Sequence, residues 1–291
     1  MNKIGGKVQM ILYDDHLIDR SEVKIDIEDR AYQFGDGVYE VIRVYQAHPF
    51  CMDEHLARLE RSAREIYLQL PYEIEKIKSL LSQLIEKNNL QDGNIYIQIS
   101  RGTAPRQHGF PKESRPLIIA YAQPNQRPLQ DLKQGVRAIT TQDIRWLRCD
   151  IKSLNLLGAV LAKQAAVENN AKEAILIRDG KVTEGSSTNI FFIKNGQLWT
   201  HPANHLILHG ITRQVTLSLA EKLEIPVKQE AILESQIPEM DECFLTSTTM
   251  EICPIVQVND QPIGNGHPGP ITRKLQLEFE KQITQLHTVV N

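Results

Sequence analysis

The sequence predicts an α+β protein of two domains, and three observations lead to that prediction. The chain has 291 residues, enough for two domains of ordinary size. Helix-like and strand-like segments are mixed without the regular alternation that is typical of a parallel α/β fold. A polar stretch with two prolines at 123–128 resembles a linker. We therefore expect a small N-terminal α/β domain at 1–122, an interdomain linker at 123–130 and a larger C-terminal domain at 131–291.

The bulk composition excludes several classes of protein. The formal net charge is -3 and no basic run stands out, which argues against nucleic acid or a membrane surface as a partner. No apolar run approaches the roughly 20 residues of a membrane-spanning helix, and residues 1–6 lack the apolar core of a signal peptide. The four cysteines form no C-x-x-C pair, so we expect free thiols in a reducing cytoplasm and no metal site.

The N-terminal domain is predicted to place two helices beside strands. The predicted elements are two short strands within 7–18, a strand at 38–45, helices at 55–67 and 72–90, and strands at 95–100 and 116–121. Residues with β-branched and aromatic side chains predict the strands. Apolar residues three and four apart predict the helices. The last two strands flank a loop at 101–115 that carries three arginines and a histidine.

The C-terminal domain is predicted to be richer in hairpins. The predicted elements are strands at 136–140, 174–177, 189–193, 243–245 and 255–258, and helices at 154–167, 211–223 and 270–282. Asp179-Gly180 and Asn195-Gly196 each follow a strand and favour two-residue hairpin turns. In the helix at 154–167, the apolar side chains of Leu157, Val160 and Leu161 recur at helical spacing.

Lys152 is the first candidate for covalent chemistry. It lies in an apolar, lightly charged segment just before the helix predicted at 154–167. Burial disfavours the charged form of a lysine, and a neutral amine can attack an aldehyde and hold it as a Schiff base. From this residue alone, an ordinary surface lysine is the simpler interpretation, because lysine is almost never fully buried without a partner.

Four further segments carry groups that could bind an anion or a ring nitrogen. They are Glu184 with the hydroxyl residues 186–188, Gly210-Ile211-Thr212 at a predicted helix start, the hydroxyl residues 246–249 after a strand, and Arg106-Gln107-His108. A helix start offers free N–H groups to an anion, and two side chains two residues apart in an extended loop point the same way. Taken in isolation, each segment is explained more simply by capping, turn chemistry or a solvated loop.

Several motifs taken together resemble one enzyme family. They occupy residues 29–40, 101–108, 144–158, 182–187 and 208–213. In this order they are similar to the fold type IV pyridoxal-phosphate aminotransferases, and within these to the D-amino acid aminotransferases. The likeness covers nearly the whole chain and is weakest at its ends. It implies the two-domain fold of the branched-chain and D-amino acid aminotransferases and pyridoxal 5'-phosphate as the cofactor.

The resemblance also implies roles for single residues in holding the cofactor. Lys152 matches the Schiff-base lysine, which also moves the proton between the substrate and the cofactor. Glu184 matches the carboxylate that keeps the pyridine nitrogen protonated, and Leu208 matches the residue packed against the ring face. The residues implied for the phosphate are Arg58, Ile211, Thr212, Ser247 and Thr248.

The implied reaction is the ping-pong transfer of an amino group between D-amino acids and 2-oxo acids. D-Alanine and 2-oxoglutarate would give pyruvate and D-glutamate. Tyr39, Arg106 and His108 match the three groups that bind the substrate α-carboxylate. Because the Arg-x-His loop serves the neighbouring subunit in the family, the resemblance implies a homodimer.

Two other readings of the sequence stay open. A branched-chain L-amino acid aminotransferase or an aminodeoxychorismate lyase would share the lysine and the phosphate-binding residues, but we do not expect them to share Arg106-Gln107-His108 as a carboxylate clamp. A non-catalytic protein that kept the fold is the other reading, and the retained chemical residues argue against it.

Overall fold

A computed structural model of the chain describes residues 9–286, and its mixed helices and sheets confirm the predicted α+β class. The chain forms two compact units. Unit 1 takes in the described residues up to Gln126 together with Ile151–Asn155, and unit 2 takes in Arg127–Asp150 and the described residues from Leu156 onward. The boundary at Gln126 lies inside the linker predicted at 123–130. Lys152, which the sequence placed with the C-terminal domain, groups with unit 1.

Unit 1 is built on one antiparallel sheet. Its elements are β1 (Met10–Tyr13), β2 (His16–Asp19), α1 (Arg30–Phe34), β3 (Gly37–Tyr45), β4 (His48–Pro49), α2 (Met52–Glu65), α3 (Ile74–Lys87), β5 (Gly93–Ser100) and β6 (Leu117–Pro124). The six strands run in the order β2-β1-β6-β5-β3-β4 within the described residues. Residues 7 and 8 of the first predicted strand lie outside the described part of the chain.

The core of unit 1 lies between α2, α3 and one face of this sheet. Alternate residues of β3 and β5, among them Ile42 and Ile97, face the apolar sides of the helices. Leu59 and Leu81 are fully buried against them. The predicted spacing therefore identified both helices, and only their ends differ, because helix ends depend on caps as well as on apolar spacing.

Unit 2 carries the second, larger sheet. Its elements are α4 (Leu129–Gln134), β7 (Val136–Gln142), α5 (Leu157–Glu168), β8 (Glu173–Arg178), β9 (Lys181–Gly185), β10 (Asn189–Lys194), β11 (Gln197–Thr200), α6 (Ile211–Lys222), β12 (Val227–Gln229), β13 (Glu242–Ser247), β14 (Glu251–Val258), β15 (Gln261–Pro262) and α7 (Pro270–Gln285). The strand order is β12-β11-β10-β13-β14-β7-β8-β9, with β15 beside β14. The predicted hairpins at 179–180 and 195–196 join β8 to β9 and β10 to β11.

Helix α5 confirms the helix predicted at 154–167 with a later start, and it exposes the apolar residues whose spacing predicted it. The apolar residues at helical spacing, Leu157, Val160 and Leu161, are 71%, 56% and 52% exposed. The side that packs against the sheet presents Ala162 and Ala166 instead. Small side chains let the helix approach β7 and β8 closely, so the larger apolar side chains remain on its outer face.

Two short helices were not predicted. α1 is too brief to show an apolar period, and α4 begins inside the predicted linker, where Pro128 precedes its first residue. None of the helices within residues 9–286 combines the length and the hydropathy needed to cross a bilayer.

Candidate active site

The backbone of Lys152 is held against β3 in unit 1. The carbonyl of Lys152 accepts the Tyr39 N–H at 3.0 Å, and the Leu154 N–H donates to the Gly37 carbonyl at 3.1 Å. The Lys152 N–H in turn donates to the hydroxyl of Ser62, a buried residue of α2, at 3.2 Å. These bonds explain why Lys152 groups with unit 1. They hold its main chain in place without a ligand.

The amine of Lys152 lies over an aromatic ring. Its Nζ is 4.3 Å from the centroid of the Tyr39 ring, which itself stacks on Tyr96 at 5.7 Å. An ammonium over a ring face is attracted by the electron-rich face of the ring. The structure therefore brings together two of the predicted residues, Lys152 and Tyr39.

Arg58 belongs to a buried polar side of α2. His55, Arg58 and Ser62 are three and four residues apart, so they lie on one side of the helix. Glu40 of β3 reaches this side: it accepts from Arg58 Nε at 2.6 Å and from Arg58 Nη2 at 2.9 Å. His55 Nδ1 lies 2.8 Å from the second oxygen of the same carboxylate. The two hydrogen bonds to one carboxylate thus fix the orientation of the Arg58 guanidinium.

The charges of this cluster are balanced inside the protein. Burial opposes ionisation of Glu40, but the charge of Arg58 and the hydrogen bonds from Arg58 and His55 outweigh it and hold the pKa of Glu40 well below its usual range. Burial lowers the pKa of His55, and the charges of Arg58 and Lys152 act in the same direction while Glu40 opposes them. We take His55 as neutral, with the Nδ1 proton on the Glu40 side. The sequence analysis did not identify Glu40 or His55.

Arg106 and His108 lie on an exposed part of the 101–115 loop. The Arg106 guanidinium carbon is 4.5 Å from the Phe34 ring centroid, and the His108 ring is 5.5 Å from the same ring. The two predicted clamp residues are therefore neighbours. Within the described residues of this single chain, neither shares a hydrogen bond or ring contact with Tyr39.

Glu184 is the last residue but one of strand β9 in unit 2 and is 4% exposed. Its carboxylate accepts from Asn189 Nδ2 at 2.9 Å and from the Leu208 N–H at 3.0 Å, and it pairs with Arg145. Burial raises the pKa of Glu184 to about 7, even though Arg145 and the Leu208 N–H favour the ionised form. A carboxyl with such a pKa can hold or release a proton near neutral pH.

Arg145 and Asn189 hold Glu184 and were missed by the sequence analysis. Arg145 also donates to Asp143, with its Nε 2.9 Å from Oδ1, so its charge serves two carboxylates. Asn189 also donates to the Leu208 carbonyl at 2.9 Å and so links Leu208 to Glu184. The only sequence feature that could have indicated Arg145 is its place inside the 144–158 motif.

The start of α6 lies where the sequence predicted a helix start, and its first N–H groups are of the kind that can bind an anion. The helix begins at Ile211, and its N-cap residue Gly210 gives it no side-chain cap within the described residues. The first N–H groups of a helix have no partner within the helix. A Cβ at Gly210 would lie 2.1 Å from Asn189 Oδ1, so a larger residue here would displace the side chain that donates to Glu184. Ile211 and Thr212 are both buried.

The hydroxyl residues 246–249 lie at the end of β13 and the turn after it. Asn189 pairs with Thr246 across the strands, so the end of β13 lies beside the residue that touches Gly210. Ser247 accepts the Met250 N–H at 3.1 Å and so shapes the turn that contains Thr248. Thr246 Oγ1 is buried and finds no hydrogen-bond partner among the described residues. The segments at 211–212 and 247–248 therefore lie at neighbouring points of unit 2.

The family model for class IV amino-transferases matches residues 37–258, which include every predicted site residue. The chain belongs to this family. It is 47% identical to D-alanine aminotransferases from Bacillus licheniformis and from Staphylococcus haemolyticus, over 94% of this chain and 96% and 97% of those proteins.

Solved structures of the family have the same fold. The branched-chain amino acid aminotransferase of Escherichia coli superposes with a TM-score of 0.90 at 28% identity, over 94% of each chain. The branched-chain amino acid aminotransferase of Thermobaculum terrenum, solved in its PLP-form, gives 0.84 at 26% identity over 95% of this chain and 94% of that chain. The predicted family and the fold type IV architecture are confirmed.

Proposed function

We propose that this protein is a pyridoxal-phosphate-dependent D-amino acid aminotransferase that converts D-alanine and 2-oxoglutarate into pyruvate and D-glutamate by a ping-pong mechanism. The observation that carries the proposal is the 47% identity to D-alanine aminotransferases over 94% of the chain. The branched-chain enzymes that share its fold are only 25–28% identical. The D-amino acid reaction is therefore favoured over the branched-chain L-amino acid reaction.

Features of each unit fit pyridoxal phosphate. In unit 2, α6 starts without a side-chain cap, and the buried Thr246 hydroxyl beside it has no partner among the described residues. Such donors suit a phosphate group. Glu184 is a buried carboxyl whose pKa of about 7 suits a proton shared with a ring nitrogen. In unit 1, Lys152 offers an amine on a fixed backbone.

Each residue has a separate part in the proposed reaction. When bound, pyridoxal phosphate supplies an aldehyde that an amine can hold and a ring that accepts electrons from the substrate Cα. The Lys152 amine would hold the cofactor through its aldehyde and would move the proton at the substrate Cα. Glu184 would keep the ring nitrogen protonated, and Leu208 would pack against the ring. The proposed phosphate ligands are Arg58, Ile211, Thr212, Ser247 and Thr248.

The substrate carboxylate is assigned to Tyr39, Arg106 and His108. Arginine and histidine donors bind a carboxylate through charge-assisted hydrogen bonds. Once the carboxylate is fixed, the face of Cα that meets Lys152 is determined, and so is the preferred hand of the substrate. This is why the residues of the 101–115 loop are expected to decide the D-preference.

We further propose a homodimer in the cytoplasm, with Arg106 and His108 serving the neighbouring subunit. Two features support it. Arg106 and His108 are exposed and share no contact with Tyr39 within the described part of one chain. Large apolar side chains of α5 are also exposed, and a contiguous apolar surface is typical of a protein interface. The charge of -3 without a basic run gives no reason to expect nucleic acid or a membrane as a partner.

The test is a paired assay with the two isomers of alanine. The purified protein loaded with pyridoxal phosphate is mixed with 2-oxoglutarate and either D-alanine or L-alanine, and pyruvate is measured with a coupled dehydrogenase. We expect pyruvate from D-alanine only. Turnover of the L-isomer alone, or preferential use of L-leucine and L-isoleucine, would refute the D-amino acid assignment. Release of pyruvate from aminodeoxychorismate would favour the lyase instead.

A further inference from the structure

The backbone of the proposed carboxylate clamp is bonded to a buried arginine. Arg30 of α1 is 3% exposed, and it donates through Nη1 to the Gln107 carbonyl at 2.7 Å and through Nη2 to the His108 carbonyl at 3.4 Å. Its Nε donates to Asp36 Oδ2 at 2.7 Å. One guanidinium therefore joins the exposed loop to the interior of unit 1.

The side chains of the clamp rest on the same short helix. The Phe34 ring lies 4.5 Å from the Arg106 guanidinium carbon, 5.5 Å from the His108 ring and 4.8 Å from the Arg30 guanidinium carbon. Phe34 is thus the common contact of both clamp side chains. Tyr32, on the same helix, is 79% exposed.

A second arginine fixes Asp36 and the start of the loop. Arg101 Nε lies 2.8 Å from Asp36 Oδ2, and its other two nitrogens donate to the carbonyls of Tyr67 and Ile66 at 2.9 and 2.7 Å. The loop is closed at its base, where a Cβ on Gly102 would meet the Arg115 carbonyl oxygen at 2.0 Å. We call Arg30, Phe34, Asp36 and Arg101 the loop platform.

The loop platform reduces the entropy that the clamp loses when it binds a carboxylate. A free arginine side chain loses rotamer freedom when it is ordered. A side chain that already rests on a ring has lost part of this freedom before the ligand arrives. The platform also carries two guanidinium groups and one carboxylate, and this excess of positive charge favours an anion at the loop.

We propose that Phe34 and Arg30 are positioning residues that set the affinity of the enzyme for the α-carboxylate of its D-amino acid and 2-oxo acid substrates. They do so by holding Arg106 through its side chain and the 107–108 backbone through its carbonyls. The proposal rests on the proposed function of Arg106 and His108 as the carboxylate-binding pair. It assigns a task to residues of the 29–40 motif that the reaction itself does not use.

The main test compares two substitutions in α1. Phe34→Leu removes the ring that Arg106 and His108 share, and Tyr32→Leu removes an exposed ring from the same helix. We expect Phe34→Leu to raise KM for D-alanine and for 2-oxoglutarate by about two- to fivefold, the range of one cation–π contact at an exposed site. We expect kcat and the dissociation constant of pyridoxal phosphate to be unchanged. Tyr32→Leu is expected to change none of these, and Phe34→Tyr should retain the wild-type KM.

Two further measurements separate positioning from a general loss of structure. Hydrogen–deuterium exchange of the 103–110 peptide is expected to be faster in Phe34→Leu and in Arg30→Lys, and unchanged in Tyr32→Leu. In an Arg106→Leu background, Phe34→Leu should raise KM by a smaller factor than in the wild type, because only His108 is left for the ring to position.

The results distinguish an error in the proposed clamp from an error in the proposed role of the loop platform. If Arg106→Leu leaves KM for D-alanine unchanged, the clamp assignment of the proposed function is wrong. If Arg106→Leu raises KM but Phe34→Leu does not, only the role of the loop platform is refuted. The role is also refuted if Phe34→Leu lowers kcat or cofactor affinity, or raises KM equally in both backgrounds.

Discussion

Two buried glutamates, one in each unit, have the same kind of partner and opposite protonation behaviour. Glu40 binds Arg58 through both carboxylate oxygens and also His55, and its pKa lies well below the usual range. Glu184 pairs with Arg145 and accepts two N–H groups, yet burial raises its pKa to about 7. Burial and an arginine partner are therefore not enough to predict the charge of a carboxyl group.

One difference is that Glu184 has a second carboxylate close to its arginine. Arg58 binds the carboxylate of Glu40 with two nitrogens, and the charge of Arg58 offsets the burial of that group. Arg145 also binds Asp143, and the Asp143 charge itself raises the pKa of Glu184. Glu40 is thus suited to hold an arginine permanently, and Glu184 is suited to exchange a proton.

The largest effect on stability is expected from Glu40→Gln. It leaves the buried Arg58 charge without its carboxylate, and breaking a buried pair in this way typically costs about 3 kcal/mol or more. The free energy of unfolding of the cofactor-free protein in urea would measure the loss. The control is Asp53→Asn, which breaks the exposed Lys78–Asp53 pair and should leave the urea midpoint unchanged. Equal midpoints for Glu40→Gln and the wild type would contradict the role of Glu40.

Glu184→Gln is expected to affect turnover more than folding. The amide cannot hold a proton on the ring nitrogen, and loss of one fixed electrostatic contact in an active site typically lowers kcat about 100-fold. Steady-state kinetics with D-alanine would show this loss while the far-UV circular dichroism stays the same. A kcat within twofold of the wild type would remove Glu184 from the proposed chemistry.

The two carboxyls should also give opposite dependences of stability on pH. The native pKa of Glu184, about 7, exceeds its ordinary value of 4.5, so the folded cofactor-free protein keeps a proton that the unfolded chain releases. The contribution of Glu184 to stability therefore falls as pH rises from about 4.5 to 7. The contribution of Glu40 is present above its ordinary pKa and is lost as pH falls. The measurement is the free energy of unfolding of the wild type and of Glu184→Gln at several pH values between about 4.5 and 7. The difference between the two proteins isolates the contribution of Glu184. A difference that does not change with pH would contradict the prediction.

Asp143→Asn is expected to have a smaller effect, on the pKa of Glu184 and so on the pH dependence of stability. The substitution removes the Asp143 charge, which raises the pKa of Glu184, and leaves the Arg145 charge that lowers it. The pKa of Glu184 should therefore fall toward its usual range. The pH-dependent difference described above would then shrink when it is measured in the Asp143→Asn background. Asp150→Asn, which removes a buried carboxylate paired with Arg148 instead, is the matched control and should leave that difference in place.

The sequence predicted those features that depend on local pattern. Apolar spacing identified α2 and α3, and turn dipeptides identified the hairpins of unit 2. Spacing also found the apolar stripe of α5, but it could not tell whether that stripe packs within the chain, and here it does not. Helix α1 has five residues, too few to show an apolar period, so the sequence did not predict it.

The partners of the site residues were beyond the reach of the sequence. Glu40 meets Arg58 and His55 from another element, and Arg145 reaches Glu184 across 39 positions of the chain. These pairs arise only when strands and helices are packed, since no spacing rule joins them. The resemblance supplied the predicted roles of Lys152, Arg58 and Glu184, whereas the residues that hold them emerged from the structure.

The most direct test of the account is to find which amine holds the cofactor. The protein loaded with pyridoxal phosphate is reduced with borohydride, digested and analysed by mass spectrometry, with Lys152→Ala treated in parallel. We expect one modified peptide, carrying the added mass on Lys152, and neither that label nor turnover in the variant. Modification of a different lysine, or near-normal turnover by Lys152→Ala, would contradict the account.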